Sequence, residues 1–243
     1  MIAADTPLDR TFEASWPAAE YAVAGAFRIG RGEGGGMRVS SARLVSTEWN
    51  MDDIGQAIEI QRSWGQPPAF RLSEGQGIEA EDLRAALQSR GFRRHTPTRL
   101  LCADLGALTD TPVPRVTCFA VWPPLAIQRE LWTEQGIGAA RQAIMARVTL
   151  PKVALLGRIE DRAAAVGFVA AGESLAILHA LEVLPSLRRK GLARWMLREA
   201  AFWAAGQGCD TLALAVTSEN APALSLYDEM GFRDIGGYSY FVH

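Results

Sequence analysis

Apolar runs of strand length alternate with amphipathic stretches of helical period along this chain. After a lead-in with a short helix around residues 14–22, residues 23–29 alternate as a strand, and five glycines within 30–36 return the chain into a second strand over 38–45. A glycine-rich turn between two strands reads as a hairpin before it reads as a phosphate cradle. Asn50 or Asp52 can cap a helix that runs to Trp64, with Ile54, Ala57, Ile58 and Ile60 on its apolar side and Gln66-Pro67-Pro68 after its end. Residues 69–72 make a short strand, 79–90 a helix closed by Gly91, and 98–103 another strand, giving the order β-β-α-β-α-β.

Proline and polar residues between Leu108 and Arg115 separate two apolar runs and place a module boundary near residue 110. Beyond it the pattern predicts a strand at 116–121, helices at 125–134 and 139–147, and strands at 153–159 and 163–170. An apolar run at 177–183 ends at Pro185, and a helix follows from about 190 to 205. A strand at 211–216, a helix opened by Asn220 and an alternating aromatic strand at 238–242 complete the chain.

Between the run ending at Val183 and the next helix lies Arg188-Arg189-Lys190-Gly191-Leu192-Ala193. A helix start offers unpaired N–H groups and the positive end of the helix dipole, and here cationic side chains surround it. Such a turn suits phosphate. At these residues the sequence resembles the GNAT superfamily of acetyltransferases, whose signature R/Q-x-x-G-x-G/A is met by Arg188, Gly191 and Ala193. Around the turn stand Leu181-Glu182-Val183-Leu184-Pro185, then Asn220, Ala223, Leu226-Tyr227 and Gly231-Phe232, in the order the family shows. The strings Phe27-Arg28-Ile29, Arg38-Val39-Ser40-Ser41, Pro68-Ala69-Phe70-Arg71 and Arg90-Gly91-Phe92 resemble the amino-terminal half of bacterial tandem GNAT proteins. The resemblance implies an α/β (α+β) fold with a mixed, mostly antiparallel central sheet flanked by helices. It also implies two GNAT-like halves: a degenerate module at 1–110 without its own coenzyme A turn, and a complete acetyltransferase domain at 111–243.

The same resemblance implies acetyl-coenzyme A as co-substrate. Its diphosphate would take N–H bonds from Arg189, Lys190, Gly191, Leu192 and Ala193 and charge-assisted bonds from Arg188, Arg189 and Lys190. The backbone of Leu181 and Val183 would pair with the pantetheine arm as an added strand, Val183 N–H would polarise the thioester carbonyl, and Asn220 would bond the arm or cap its helix. Tyr227 is placed to protonate the leaving thiolate, or else to pack the helix on the sheet. His179 and Glu182 are the titratable side chains of the central strand and both stand as candidates for the base; alternation puts them on opposite faces unless a bulge intervenes.

Composition narrows the picture further. A net charge of −2 and a pI near 6.0 leave no whole-chain positive field for nucleic acid or an anionic membrane. Three scattered cysteines and three histidines lack metal-ligand spacing, no signal pattern opens the chain, and a reduced, cytoplasmic bacterial protein without metal is expected. The expected activity is acetyl transfer to a primary amine of a small molecule or peptide by direct attack in a ternary complex, since no cysteine lies in the motifs. A non-catalytic acyl-coenzyme A binding protein and an enzyme for another acyl group are the alternatives. The first module is open to three roles: completing the acceptor groove, stabilising the second, or forming homodimer contacts. Trp122 and Trp132 could line that groove or sit in the core.

Overall fold

A computed structural model describes residues 6–74 and 78–243. In chain order its first half holds α1 (Pro7–Ala14), β1 (Glu20–Ala24), β2 (Phe27–Arg31), α2 (Met37–Ser40), β3 (Ala42–Leu44), α3 (Met51–Ser63), β4 (Ala69–Ser73), α4 (Ile78–Ser89), β5 (Arg93–Asp104) and α5 (Leu105–Leu108). The second half holds β6 (Cys118–Val121), α6 (Ala126–Glu134), α7 (Ala139–Arg147), β7 (Lys152–Ile159), β8 (Arg162–Ala171), β9 (Leu175–Val183), α8 (Leu192–Gly206), β10 (Thr211–Thr217), α9 (Ala221–Glu229) and β11 (Arg233–Val242). The expected mixed, mostly antiparallel sheet with flanking helices is present.

Three local expectations near the start need correction. The helix predicted at 14–22 lies earlier, at α1, because Thr6 and Asp9 form a capping box there and Pro7 suits the first turn. The strand predicted at 23–29 is broken by a turn at Gly25, whose φ of 51° suits glycine, and a Cβ there would meet the Asp53 carboxylate. Asp53 also accepts from Ala26 N and Asn50 N, so one carboxylate pins the β1–β2 hairpin and caps α3. The glycine-rich stretch does join antiparallel strands, β2 and β3, but residues 38–40 of the second predicted strand lie in helix α2.

Among the described residues one eleven-stranded sheet has the order β1-β2-β3-β4-β11-β5-β10-β9-β8-β7-β6. Strand β5 lies between β11 and β10, and β11 lies between β4 and β5, so each half sends its last strand into the sheet of the other. The two halves therefore share a continuous backbone ladder. Around β7 and β8 both sheet faces are covered. Leu155 and Val169 pack with Met196, Leu197 and Ala200 of α8, while Ala154, Leu156 and Phe168 pack with Trp132 and Ile144 of α6 and α7. That double coverage explains why 163–170 reads as an unbroken apolar run. A third cluster, with Phe27, Ile54, Phe70, Leu87, Phe92 and Phe241, fills the first half. Each such buried side chain contributes on the order of 1.5–3 kcal/mol, which a one-residue slip of a strand would forfeit.

Candidate active site

Strand β9 departs from regular pleating where chemistry is expected. Phe168 pairs with His179 and Val166 with Glu182, so three steps on β9 oppose two on β8, and Ala180 takes a φ of 51°. This is a β-bulge. It resolves the question of faces: with one residue inserted, His179 and Glu182 line the same cavity. Trp132, buried in the core, donates from Nε1 to Ala180 O at 3.0 Å and holds the bulge.

Past the bulge the sheet opens. Parallel pairing of β9 with β10 ends at Leu178 and Leu214, although β9 runs to Val183 and β10 continues to Thr217 against β5. Leu184 N–H donates to Ala164 O on β8. By alternation the peptide groups of Val183 and Leu181 face the other way, into the gap. Arg188 Nε donates to Val183 O at 2.9 Å and caps that carbonyl from the far side of the turn.

A cleft of about 540 Å³ extends from this gap, walled by Leu181, Val183, Arg188, Arg189 and Gly191 on one side and by Asn220, Ala223 and Tyr227 on the other. Arg189 has a φ of 65° and Gly191 one of 82°, and such alternation of backbone hand is the conformation in which successive amides can form an anion-binding nest. The first amide beyond it with a backbone acceptor is Arg194's, on Gly191 O. Beyond its chain neighbours, nothing lies within 4 Å of where a Gly191 Cβ would stand. The Leu192 side chain is buried beneath, which fixes the start of α8 and leaves only its backbone for a ligand. These features fit a phosphorylated co-substrate. Lys190 departs from its expected place: its ammonium pairs with Glu160 and does not wall the cleft. Arg194 pairs with Glu229 at 2.6 Å, whereas Arg189 has no ion-pair partner among the described residues.

A second cavity, about 410 Å³, meets the first at Leu181, Glu182, Asn220 and Tyr227. Its walls come from distant parts of the chain: Trp16, Gly35, Gly36 and Arg38, Thr96 and Thr98 of β5, Arg141 of α7, and Tyr238 and Tyr240 of β11. Glu182 is partly exposed here. Burial raises its pKa, against the pull of Arg188 and Arg141. Burial and the neighbouring Glu182 push the Tyr227 hydroxyl up to about 12, so it carries its proton. Burial opposes ionisation of Tyr238, yet the charges of Arg38 and Arg71 hold its hydroxyl below the usual tyrosine range. Asn220 Oδ1 accepts from Ala223 N and so caps α9 while bordering both cavities.

His179 is only 6% exposed, and both ring nitrogens are engaged. Arg38 lies 2.9 Å from Nδ1 and can only donate, so Nδ1 accepts; Nε2–H then donates to Ser15 Oγ at 2.8 Å, while Ser15 donates onward to Phe12 O. Burial first and the Arg38 charge second hold its pKa well below the ordinary histidine value. Its one free lone pair is taken by a cation. His179, offered above as a candidate base, is held here as a neutral tie from β9 to the C-cap of α1 and to α2.

Residues 126–232 match a family model described as Acetyltransferase (GNAT) family. This segment, 107 of the chain's 243 residues, is similar to the GNAT acetyltransferases. Over 73 residues the chain is 42% identical to a streptothricin acetyltransferase from Streptomyces lavendulae, a match covering 30% of this chain and 38% of that protein's length. The fold is that of GNAT proteins along nearly the whole chain. A GCN5-related N-acetyltransferase from Kribbella flavida superposes with a TM-score of 0.65 at 17% identity, over 97% of this chain and 93% of that one. A conserved protein of unknown function from Staphylococcus epidermidis gives 0.69 at 12% identity, over 93% and 94%. A tandem GNAT protein from the clavulanic acid biosynthesis pathway gives 0.61 at 16%, over 84% and 74%.

The second cavity holds what sequence reasoning missed. Trp132 is wholly buried, and Trp122 packs at a tilt against Phe168 with the Lys152 ammonium over its ring, outside the cavity lining. Trp16, Arg38, Arg141 and Tyr238 line it, and no local spacing ties them together. Among the described residues no cluster of His, Cys, Asp or Glu could hold a metal, and no helix is long and apolar enough to cross a membrane.

Proposed function

We propose that this chain is an acetyl-coenzyme A dependent N-acetyltransferase that transfers acetyl directly to a primary amine in a ternary complex. The observation that carries the reading is the meeting of the two cavities at Leu181, Glu182, Asn220 and Tyr227, one cavity suited to a phosphorylated co-substrate and the other to a small acceptor. The amides of Arg189 to Ala193, with Arg188 and Arg189, hold the diphosphate; Lys190 contributes its amide and not its ammonium. Leu181 and Val183 hold the pantetheine arm, and Val183 N–H polarises the thioester carbonyl. Glu182, at the junction, takes the ammonium proton directly or through water. The new C–N bond forms as the C–S bond breaks, and Tyr227 gives its proton to the thiolate.

The same proposal extends to the layout. The units β4-α4-β5 and β10-α9-β11 occupy matching places on either side of the β5–β11 pair, with Gly91-Phe92 and Gly231-Phe232 at equivalent corners. We read residues 1–110 as a reduced GNAT-like module that keeps the sheet and supplies acceptor-cavity walls, and 111–243 as the acetyltransferase module. The test is free-thiol release from acetyl-coenzyme A across a panel of primary amines. Release with at least one amine supports the enzyme; tight binding without release for any amine supports a non-catalytic holder of acyl-coenzyme A.

A further inference from the structure

The charged groups lining the acceptor cavity are Arg38, Arg141 and Glu182, so two cations face one carboxylate. Glu182 stands at the junction with the co-substrate cleft. Neither arginine forms an ion pair among the described residues, and the nearby acids are committed elsewhere: Glu13 to Arg28 and Arg43, Glu33 to Arg147. Arg38 bonds only neutral partners, His179 Nδ1 and the Tyr238 hydroxyl, which orient its fork without cancelling its charge. Leaving a partly buried guanidinium uncompensated costs free energy that a ligand anion would recover. Arg141 projects from α7 beside Gly36, its nearest guanidinium nitrogen 3.4 Å from where a Cβ at that glycine would sit.

We infer that the acceptor is a small amine that also carries a carboxylate, its amine at Glu182 and its carboxylate between Arg141 and Arg38. This rests on the acetyltransferase reading and narrows it to an amino acid or a compound like one. The volume, about 410 Å³, is at the small end for ligand sites and suits a metabolite. Planar guanidinium forks match carboxylate geometry, and the hydroxyls of Tyr238 and Thr98 border the same cavity.

The experiment uses the full chain and three matched sets of acceptors: amino acids, their carboxamides and their decarboxylated amines. Thiol release gives kcat/KM for each, and acetyl-coenzyme A binding is followed separately by calorimetry. The expected result is a preference for the carboxylated member of about ten- to a hundredfold per charged contact. Arg141→Gln collapses that ratio, chiefly through KM, while acetyl-coenzyme A affinity stays unchanged. The Arg141 side chain has no hydrogen-bond partner to lose among the described residues, so the variant should fold. Equal or better rates with carboxamides or decarboxylated amines, or no release from any carboxylated member, would overturn the inference. Loss of acetyl-coenzyme A binding by the wild type would instead strike the acetyltransferase reading beneath it.

Discussion

The two cavities that meet at Glu182 are built in opposite ways. The co-substrate cleft comes from two short stretches, 181–194 and 220–229, in which strand, turn and helix follow one another along the chain. Local rules suffice there: a bulged strand leaves peptide groups unpaired, a glycine takes a positive φ, and a helix start offers its amides. The acceptor cavity is assembled from Trp16 just past α1, the glycine-rich loop, α2, β5, α7, β9, β10 and β11. Its shape depends on β11 lying beside β4 and β5, a pairing of high sequence separation. The contrast suggests that the first cavity carries a shared chemistry and the second the particular substrate.

The comparison sharpens at the junction, where the largest effect is expected. Glu182→Gln should lower kcat/KM by about 10²–10⁴, the usual range for a positioned base, and abolish the acid limb of the pH profile. Because burial raises the Glu182 pKa, that limb in the wild type should fall above the ordinary carboxylate range, with activity lost as pH drops through it. An unchanged profile in the variant would move the base elsewhere. Tyr227→Phe should cost less, about ten- to a hundredfold in kcat with acetyl-coenzyme A affinity preserved, because water can still protonate a thiolate. A variant that instead lost affinity and kept kcat would assign Tyr227 to packing.

The smallest effect belongs to His179 and reads stability. Its folded pKa is depressed, so below about pH 6.5 the unfolded chain binds a proton that the folded chain does not. Stability should therefore fall as pH drops below that value, with a slope of up to about 1.4 kcal/mol per pH unit, and stay flat above it on this account. Denaturant unfolding of His179→Gln between pH 5 and 7.5 should show a shallower slope. A variant with unchanged slope and a thousandfold loss of activity would restore His179 as a base.

How far the chain could be read before its structure follows the same division. Apart from β11, which begins at Arg233 and not at residue 238, the elements from residue 116 onward lie within a few residues of their predicted places, because double coverage of β8 and amphipathic helices such as α8 write themselves into local periodicity. The bulge at Ala180 leaves no such trace: alternation alone separates His179 from Glu182, and only the pairing with Val166 and Phe168 brings them together. In the first half, Gly25 inside an apparent strand was the signal for a turn, since it lies over Asp53. The neutrality of His179 was beyond reach, being set by Ser15 and Arg38, which are 164 and 141 residues away in sequence.

The most direct test of the account is calorimetric titration of the wild type and of Gly191→Glu with acetyl-coenzyme A. A side chain at φ 82° is strained, and a carboxylate there would face the phosphates. The account predicts saturable binding by the wild type and none by the variant, with both chains folded by circular dichroism. Equal binding by the two, or none by the wild type, would contradict the placement of the co-substrate on the turn at residues 188–193.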